Sequence, residues 1–162
     1  MVVAEGFLKI KVIRGTDLAV RDFFRSDPYV KLSIGEHEVK TRVKLNDLNP
    51  KWNEELTLAV SDSRLPLKLC VLDRDIFKAD DKMGDAEIKL GMLVTAAKLK
   101  AGLQFQEGMN IRKIAATPEN HFAEDSVIKV RDGNIVQEIR IKLQHVEKGQ
   151  IDLELKWLPC DP

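Results

Sequence analysis

Along most of the chain apolar and polar residues alternate one for one. Leu8, Ile10 and Val12 are separated by Lys9 and Lys11, and Val30, Leu32 and Ile34 repeat the pattern. Val39, Thr41 and Val43 interleave with Lys40, Arg42 and Lys44, followed by Leu56, Leu58 and Val60 and then Leu67, Leu69 and Val71. Toward the C-terminus Ile139, Ile141 and Leu143 alternate with Arg140 and Lys142, and Ile151, Leu153, Leu155 and Trp157 with Asp152, Glu154 and Lys156. In an extended chain successive side chains point to opposite faces, so each run predicts a strand with one buried face. The last two runs read as a hairpin turned at Glu147-Lys148-Gly149. A second hairpin is expected at Arg131-Asp132-Gly133-Asn134, because Asp-Gly favours the tight turns whose twist suits paired strands. About eight short strands with turn signals between them predict an all-β fold, an eight-stranded antiparallel β-sandwich.

The alternation breaks between about residues 91 and 125. Met92 to Leu103 place Leu93, Ala96, Ala97 and Lys100 at helical spacing, which predicts a short helix. Residues 104–125 carry no firm pattern, and a long irregular stretch in a small domain is usually functional or mobile. The expectation is one domain spanning 1–162 with a helix-containing insertion at about 91–135.

Composition narrows the function classes. The chain has 162 residues, and its 26 basic and 26 acidic side chains cancel, so no global field draws it to nucleic acid or membrane. Local patches must do any electrostatic targeting. The N-terminus lacks a basic start followed by a long apolar run, and no segment reaches the roughly 20 apolar residues of a membrane span. A soluble protein of the cytoplasm or nucleus is expected. Cys70 in a strand-like run and Cys160 near the C-terminus are poor evidence for a disulfide framework.

Five acids stand out: Asp22 and Asp27 in the first inter-strand segment, and Asp73, Asp75 and Asp81 in a later one. Both segments adjoin strand ends, so both loops are expected at one end of the sandwich. Carboxylates crowded together raise one another's pKa and destabilise the fold unless a cation joins them. Calcium accepts about six to eight oxygen ligands in flexible geometry, and neither loop contains His or Cys to favour zinc. Single aspartates are common in turns for purely structural reasons; five in two loops predict a calcium site.

The run Asp22-x4-Ser26-Asp27-Pro28-Tyr29-Val30, the segment Asn49-Pro50-Lys51-Trp52-Asn53-Glu54, and the loop Asp73-x-Asp75-x5-Asp81-x2-Gly84 resemble the C2 domain of protein kinase C and synaptotagmin. That resemblance implies Asp22, Asp27, Asp73, Asp75 and Asp81 as side-chain calcium ligands, with the backbone carbonyls of Phe23 and Arg74 completing the shell. The spacing of the first two acids is one residue shorter than in many members, which leaves the number of ions open. The resemblance also implies loop tips that enter a membrane: Phe23, Phe24 and Arg25 in the first loop, and Ile76, Phe77 and Lys78 in the later one. Tyr29, Lys31, Lys40 and Arg42 match positions that line a phosphoinositide-binding face in this family, and Lys44 extends the basic stripe. Leu72 stands where many phosphoinositide-binding members carry an aromatic residue.

The insertion and the terminal hairpin resemble the small plant C2-domain abscisic-acid-related proteins, and the hairpin also resembles the C2 module of plant Arf GTPase-activating proteins. These likenesses imply a calcium-dependent adaptor that binds anionic phospholipids (phosphatidylserine, phosphoinositides) at the plasma membrane and recruits abscisic-acid receptors through the insertion. A second class is an activator of a plant GTPase; Arg25, Arg112 and Arg131 are available as fingers, and their spacing selects none. A third, a metal-dependent hydrolase, lacks a placed Ser, Cys or His as nucleophile or base. No nucleic-acid partner and no catalytic site are expected.

Overall fold

In the computed structural model, which describes residues 4–21, 26–100, 102 and 104–160, the alternating runs become strands that turn their apolar sides into one shared core. A six-stranded antiparallel sheet has the order β4-β1-β10-β9-β8-β7. Its members are β1 (Gly6–Thr16), β4 (Lys51–Val60), β7 (Asn110–Ile114), β8 (Ser126–Arg131), β9 (Asn134–Lys142) and β10 (Gln150–Pro159). A four-stranded sheet has the order β3-β2-β5-β6, from β2 (Pro28–Ile34), β3 (His37–Lys40), β5 (Leu67–Asp73) and β6 (Asp81–Ile88). β1 lies between β4 and β10 in the larger sheet, with Leu8 opposite both Leu58 and Trp157 and Ile10 opposite Leu56 and Leu155. Leu8, Ile10, Val12, Ile151 and Leu155 are fully buried, so the inward row of these two neighbours forms the middle of the core.

The antiparallel sandwich matches the sequence expectation, with three differences of detail. The strands number ten among the described residues rather than eight, because β6 begins inside the acidic Asp81-Lys82-Met83-Gly84 segment and β7 arises in the stretch without a pattern. Within 91–135 the helix α1 (Gly91–Lys100) buries Leu93, Val94 and Ala96 on the core, and β7 and β8 extend the larger sheet at its edge. Glu107 then accepts the backbone N–H groups of Asp132 and Gly133, at 2.7 and 3.0 Å, tying this segment to the β8–β9 turn. That turn has φ of 53° at Asp132 and 76° at Gly133, the left-handed pair that an Asp-Gly hairpin requires.

The third difference concerns the stripe 39–44. The strand stops at Lys40, and Thr41 puts its hydroxyl oxygen where a ladder carbonyl would stand: Val30 N–H donates to Thr41 Oγ1 at 2.9 Å. Side-chain acceptance of a ladder donor ends regular pairing. Strand alternation therefore does not carry on through Arg42 and Lys44.

Candidate functional site

Three strand ends bring the acids together. β2 starts at Pro28, β5 ends at Asp73 and β6 starts at Asp81, with Pro28 opposite Asp73 and Asp73 opposite Asp81. Facing residues in antiparallel strands lie about 4.5–5.5 Å apart at Cα, so Asp27, Asp73 and Asp81 form a row across one end of the smaller sheet. Asp27 and Asp73 are only 7% and 3% exposed, a burial that carboxylates avoid unless their charge is met.

Backbone donors organise this row. Asp27 N–H donates to Asp73 Oδ1 at 2.8 Å, Asn46 N–H to Asp27 Oδ1 at 2.7 Å, and Arg74 N–H to the Asp27 carbonyl at 3.1 Å. Asp27 thus fastens the loop 41–50 and the loop 74–80 to the start of β2. Asp75 Oδ1 accepts the N–H groups of Phe77 and Lys78, at 2.8 and 3.3 Å, and closes the turn that presents Ile76 and Phe77. Ile76 and Phe77 are 72% and 92% exposed, as expected for a tip. Lys78 Nζ lies 3.3 Å from Asp81 Oδ2. Asp22, Phe23, Phe24 and Arg25 lie outside the described residues.

Asp80 escaped the sequence reading, although its signal, a doubled Asp80-Asp81, was present. It accepts the Asp75 N–H at 2.9 Å through one oxygen and the Tyr29 hydroxyl through the other, bracing the later loop against β2. The Tyr29 hydroxyl, with help from the Asp75 N–H, holds the Asp80 carboxyl below its ordinary value. Desolvation first, and then the same hydrogen bond, pushes the Tyr29 phenol up to about 12, so at neutral pH it remains a donor.

The donor set of Asp27, Asp73, Asp75 and Asp81 is hard carboxylate oxygen throughout, which fits calcium and not zinc. Among the described residues, no three His, Cys, Asp or Glu side chains are gathered closely enough to hold an ion, and the Lys78 ammonium occupies Asp81.

The basic candidates divide. Lys31 and Lys40 are cross-strand partners on the outward face of the smaller sheet, with Tyr29 on the same side of β2. Lys82 joins them: it pairs with Leu72, which in turn faces Tyr29. Arg42 lies beyond β3 and is held by Glu54, its Nε 3.3 Å from Oε2. Lys44 sits at the acid end, its N–H bonded to the Pro28 carbonyl at 2.9 Å. Of the possible finger residues, Arg131 is engaged by Glu138 and Glu154, and Arg112 lies on the edge strand β7.

The root of the first loop has its own anchor. Arg21 Nε donates to the Lys82 carbonyl at 3.1 Å, and Nη2 lies 2.6 Å from Glu147 Oε1 in the β9–β10 hairpin. The hydrogen bond from Arg21 draws the Glu147 carboxyl down from 4.5 to about 2. A depressed acid stabilises the fold above its unfolded value and loses that contribution as pH falls through the folded one. The urea midpoint should therefore drop between pH 4.5 and pH 2, and Glu147→Gln should flatten that part of the profile while lowering the midpoint at pH 6. An identical acid profile in the variant would show that the pair contributes nothing.

The chain has relatives among known proteins. The C2 domain family matches residues 6–104. A probable ADP-ribosylation factor GTPase-activating protein of Arabidopsis thaliana is 44% identical over 156 residues, covering 96% of this chain and 46% of its own length. Protein C2-DOMAIN ABA-RELATED 2 of the same plant is 46% identical over 154 residues, covering 94% of this chain and 88% of its own. The chain thus spans less than half of the first relative and most of the second. Among solved structures, the calcium-bound pair of C2 domains of Extended-Synaptotagmin 2 superposes with a TM-score of 0.68 at 23% identity, covering 98% of this chain and 48% of that one. A single C2 domain of plant Extended Synaptotagmin 1 gives 0.62 at 23% identity, with 99% of both chains covered. At such identity the likeness is one of fold.

Proposed function

The chain belongs to the C2 domain family, and from that premise we propose that it binds anionic phospholipid membranes in a calcium-dependent manner and recruits a signalling protein there. The observation that carries this reading is the row Asp27, Asp73 and Asp81 across adjacent strand ends, with the exposed Ile76-Phe77 tip beside it. Asp22, Asp27, Asp73, Asp75 and Asp81 are the proposed ligands, with the carbonyls of Phe23 and Arg74. Bound calcium would cancel the carboxylate charge and offer open coordination positions to lipid phosphate or carboxylate. Before that, the acidic end repels an anionic surface. Lys78 and Arg25 are the proposed contacts to the lipid headgroups, each basic side chain adding about 1 kcal/mol near the surface. Phe77 is already in water, so its burial in the acyl boundary adds roughly 1.5–3 kcal/mol.

Lys31, Lys40 and Lys82, with Tyr29, form the proposed second contact, for a phosphoinositide headgroup. The partner protein engages the segment 91–135; the abscisic-acid-related relatives make abscisic-acid receptors the first candidates. Regulation of a GTPase is a second reading, favoured by the 44% identity to the GTPase-activating relative and confined to the 46% of it that this chain spans. Within the leading reading the protein is no enzyme but a peripheral membrane module.

Vesicle co-sedimentation tests it. The chain is expected to pellet with phosphatidylserine-rich vesicles in calcium and to stay in the supernatant in chelator or with neutral vesicles. Equal pelleting with and without calcium would remove the acids from the account.

A further inference from the structure

Of the large apolar side chains among the described residues, the four most exposed are Phe77 (92%), Ile76 (72%), Leu45 (64%) and Val20 (53%). Single exposed apolar residues are ordinary on protein surfaces. These four all stand at one end of the sandwich, on the segments 17–21, 41–50 and 74–80 that meet around Ser26 and Asp27. Leu45 is held there by its neighbours: Lys44 N–H donates to the Pro28 carbonyl at 2.9 Å, Asn46 N–H to Asp27 Oδ1 at 2.7 Å, and Asp47 N–H to the Ser26 carbonyl at 3.2 Å. With both flanking amides tied to the start of β2, the Leu45 side chain is left pointing into water.

Two of the three segments set a cation next to their apolar tip, Lys44 beside Leu45 and Lys78 beside Phe77, whereas Arg21, next to Val20, is held by Glu147 and the Lys82 carbonyl. Once calcium has met the acids at this end, an apolar tip with a lysine beside it matches the boundary of an anionic bilayer, where acyl chains lie just beneath phosphate. We propose that Leu45 is a third membrane anchor, entering an anionic bilayer from the loop 41–50 alongside Ile76 and Phe77. This rests on the membrane-binding reading above and adds to it the side from which the molecule is held. An anchor on a second loop fixes the tilt of the sandwich, whereas one tip leaves it free to rock. The Asn46–Asp27 hydrogen bond also fastens the Leu45 loop to one of the proposed calcium ligands, so ordering the acids orders this anchor.

Tryptophan placed at Leu45 and read against brominated phosphatidylserine-rich vesicles in calcium tests the proposal. The native Trp52 and Trp157 are 2% and 3% exposed and supply a constant background. Phe77→Trp is the positive control, and Leu65→Trp, on the β4–β5 turn at the opposite end, is the negative one. Quenching and a blue shift for Leu45→Trp and Phe77→Trp, with Leu65→Trp and the native chain unchanged, are the expected result. In parallel, Leu45→Ser should weaken vesicle binding on the order of tenfold without moving the urea midpoint. Quenching of Phe77→Trp with silence at Leu45→Trp overturns the third anchor and keeps the membrane reading. Silence at both positions overturns the membrane reading itself, and equal quenching at Leu65→Trp overturns the assignment to this end.

Discussion

Replacing Asp73 and Asp75 together by asparagine is expected to abolish the calcium-dependent part of vesicle binding while the chain stays folded. Asparagine is the informative choice. Asp73 Oδ1 accepts the buried N–H of Asp27, and alanine there would orphan that donor at a cost of about 1–3 kcal/mol, confounding ligand loss with unfolding. The amide oxygen of asparagine can keep both this bond and the turn that Asp75 closes on Phe77, while the two negative charges disappear and one oxygen of each carboxylate becomes an amide NH2. Calcium affinity follows the charge count of its ligands. Removing two of the five proposed carboxylates should weaken it on the order of a hundredfold or more. Titration calorimetry with calcium reads the affinity, co-sedimentation reads the membrane step, and circular dichroism checks the fold. Retained calcium-dependent pelleting in a folded double variant would take these residues out of the site.

Gly84→Ala should lower stability by about 2–6 kcal/mol, the largest effect expected from so small a change. Gly84 has φ of +118°, a region nearly closed to other residues, and a Cβ there would stand 2.7 Å from Val146 Cγ1 and 2.8 Å from Leu143 Cβ. Backbone strain and overpacking each cost roughly 1–3 kcal/mol. Gly84 also shares a β-bulge with Met83: Cys70 faces Asp85 and Leu72 faces Lys82, so two residues of β6 oppose Val71 alone. This extra residue sets the register that puts Asp81 opposite Asp73. The variant is therefore expected to lose calcium binding along with stability. Gly133→Ala, at φ +76° with open space around the site, isolates the backbone component and should cost less. Urea unfolding of both variants measures the difference, and equal midpoints would refute the steric account.

Much of this molecule was legible in single residues. Strict alternation predicted the strands that build the core, because a one-sided strand records its burial locally in every second side chain. Asp132-Gly133 announced its turn, since few other pairs accept two left-handed residues in succession. The helix at 91–100 and the acids that close the strand ends were readable for the same reason: the chemistry sits within a few positions of chain. Charge-bearing strands were harder. β6 begins Asp-Lys and buries Met83, Ala86 and Ile88 across a bulge that breaks their alternation, and β7 reads Asn-Ile-Arg-Lys-Ile with no fully buried residue, so neither shows a regular period in the sequence.

The remaining features belong to partners distant in sequence. Nothing near Lys40 says that Thr41 will give its hydroxyl to Val30 and end the strand, which separates Arg42 and Lys44 from Lys40 and admits Lys82 to the basic face instead. Asp80 acquires its role only when Tyr29 reaches it from β2, and Arg21 only when the terminal hairpin brings Glu147. Leu45 reads as an ordinary loop leucine until Asn46 and Lys44 are fastened beside Asp27. The sequence by itself determined which segments are strands and which acids border them, because period and turn chemistry act between near neighbours. Register, bulges and the convergence of three loops were decided by tertiary structure, because each depends on a hydrogen bond or contact between residues that only the folded sheets bring together.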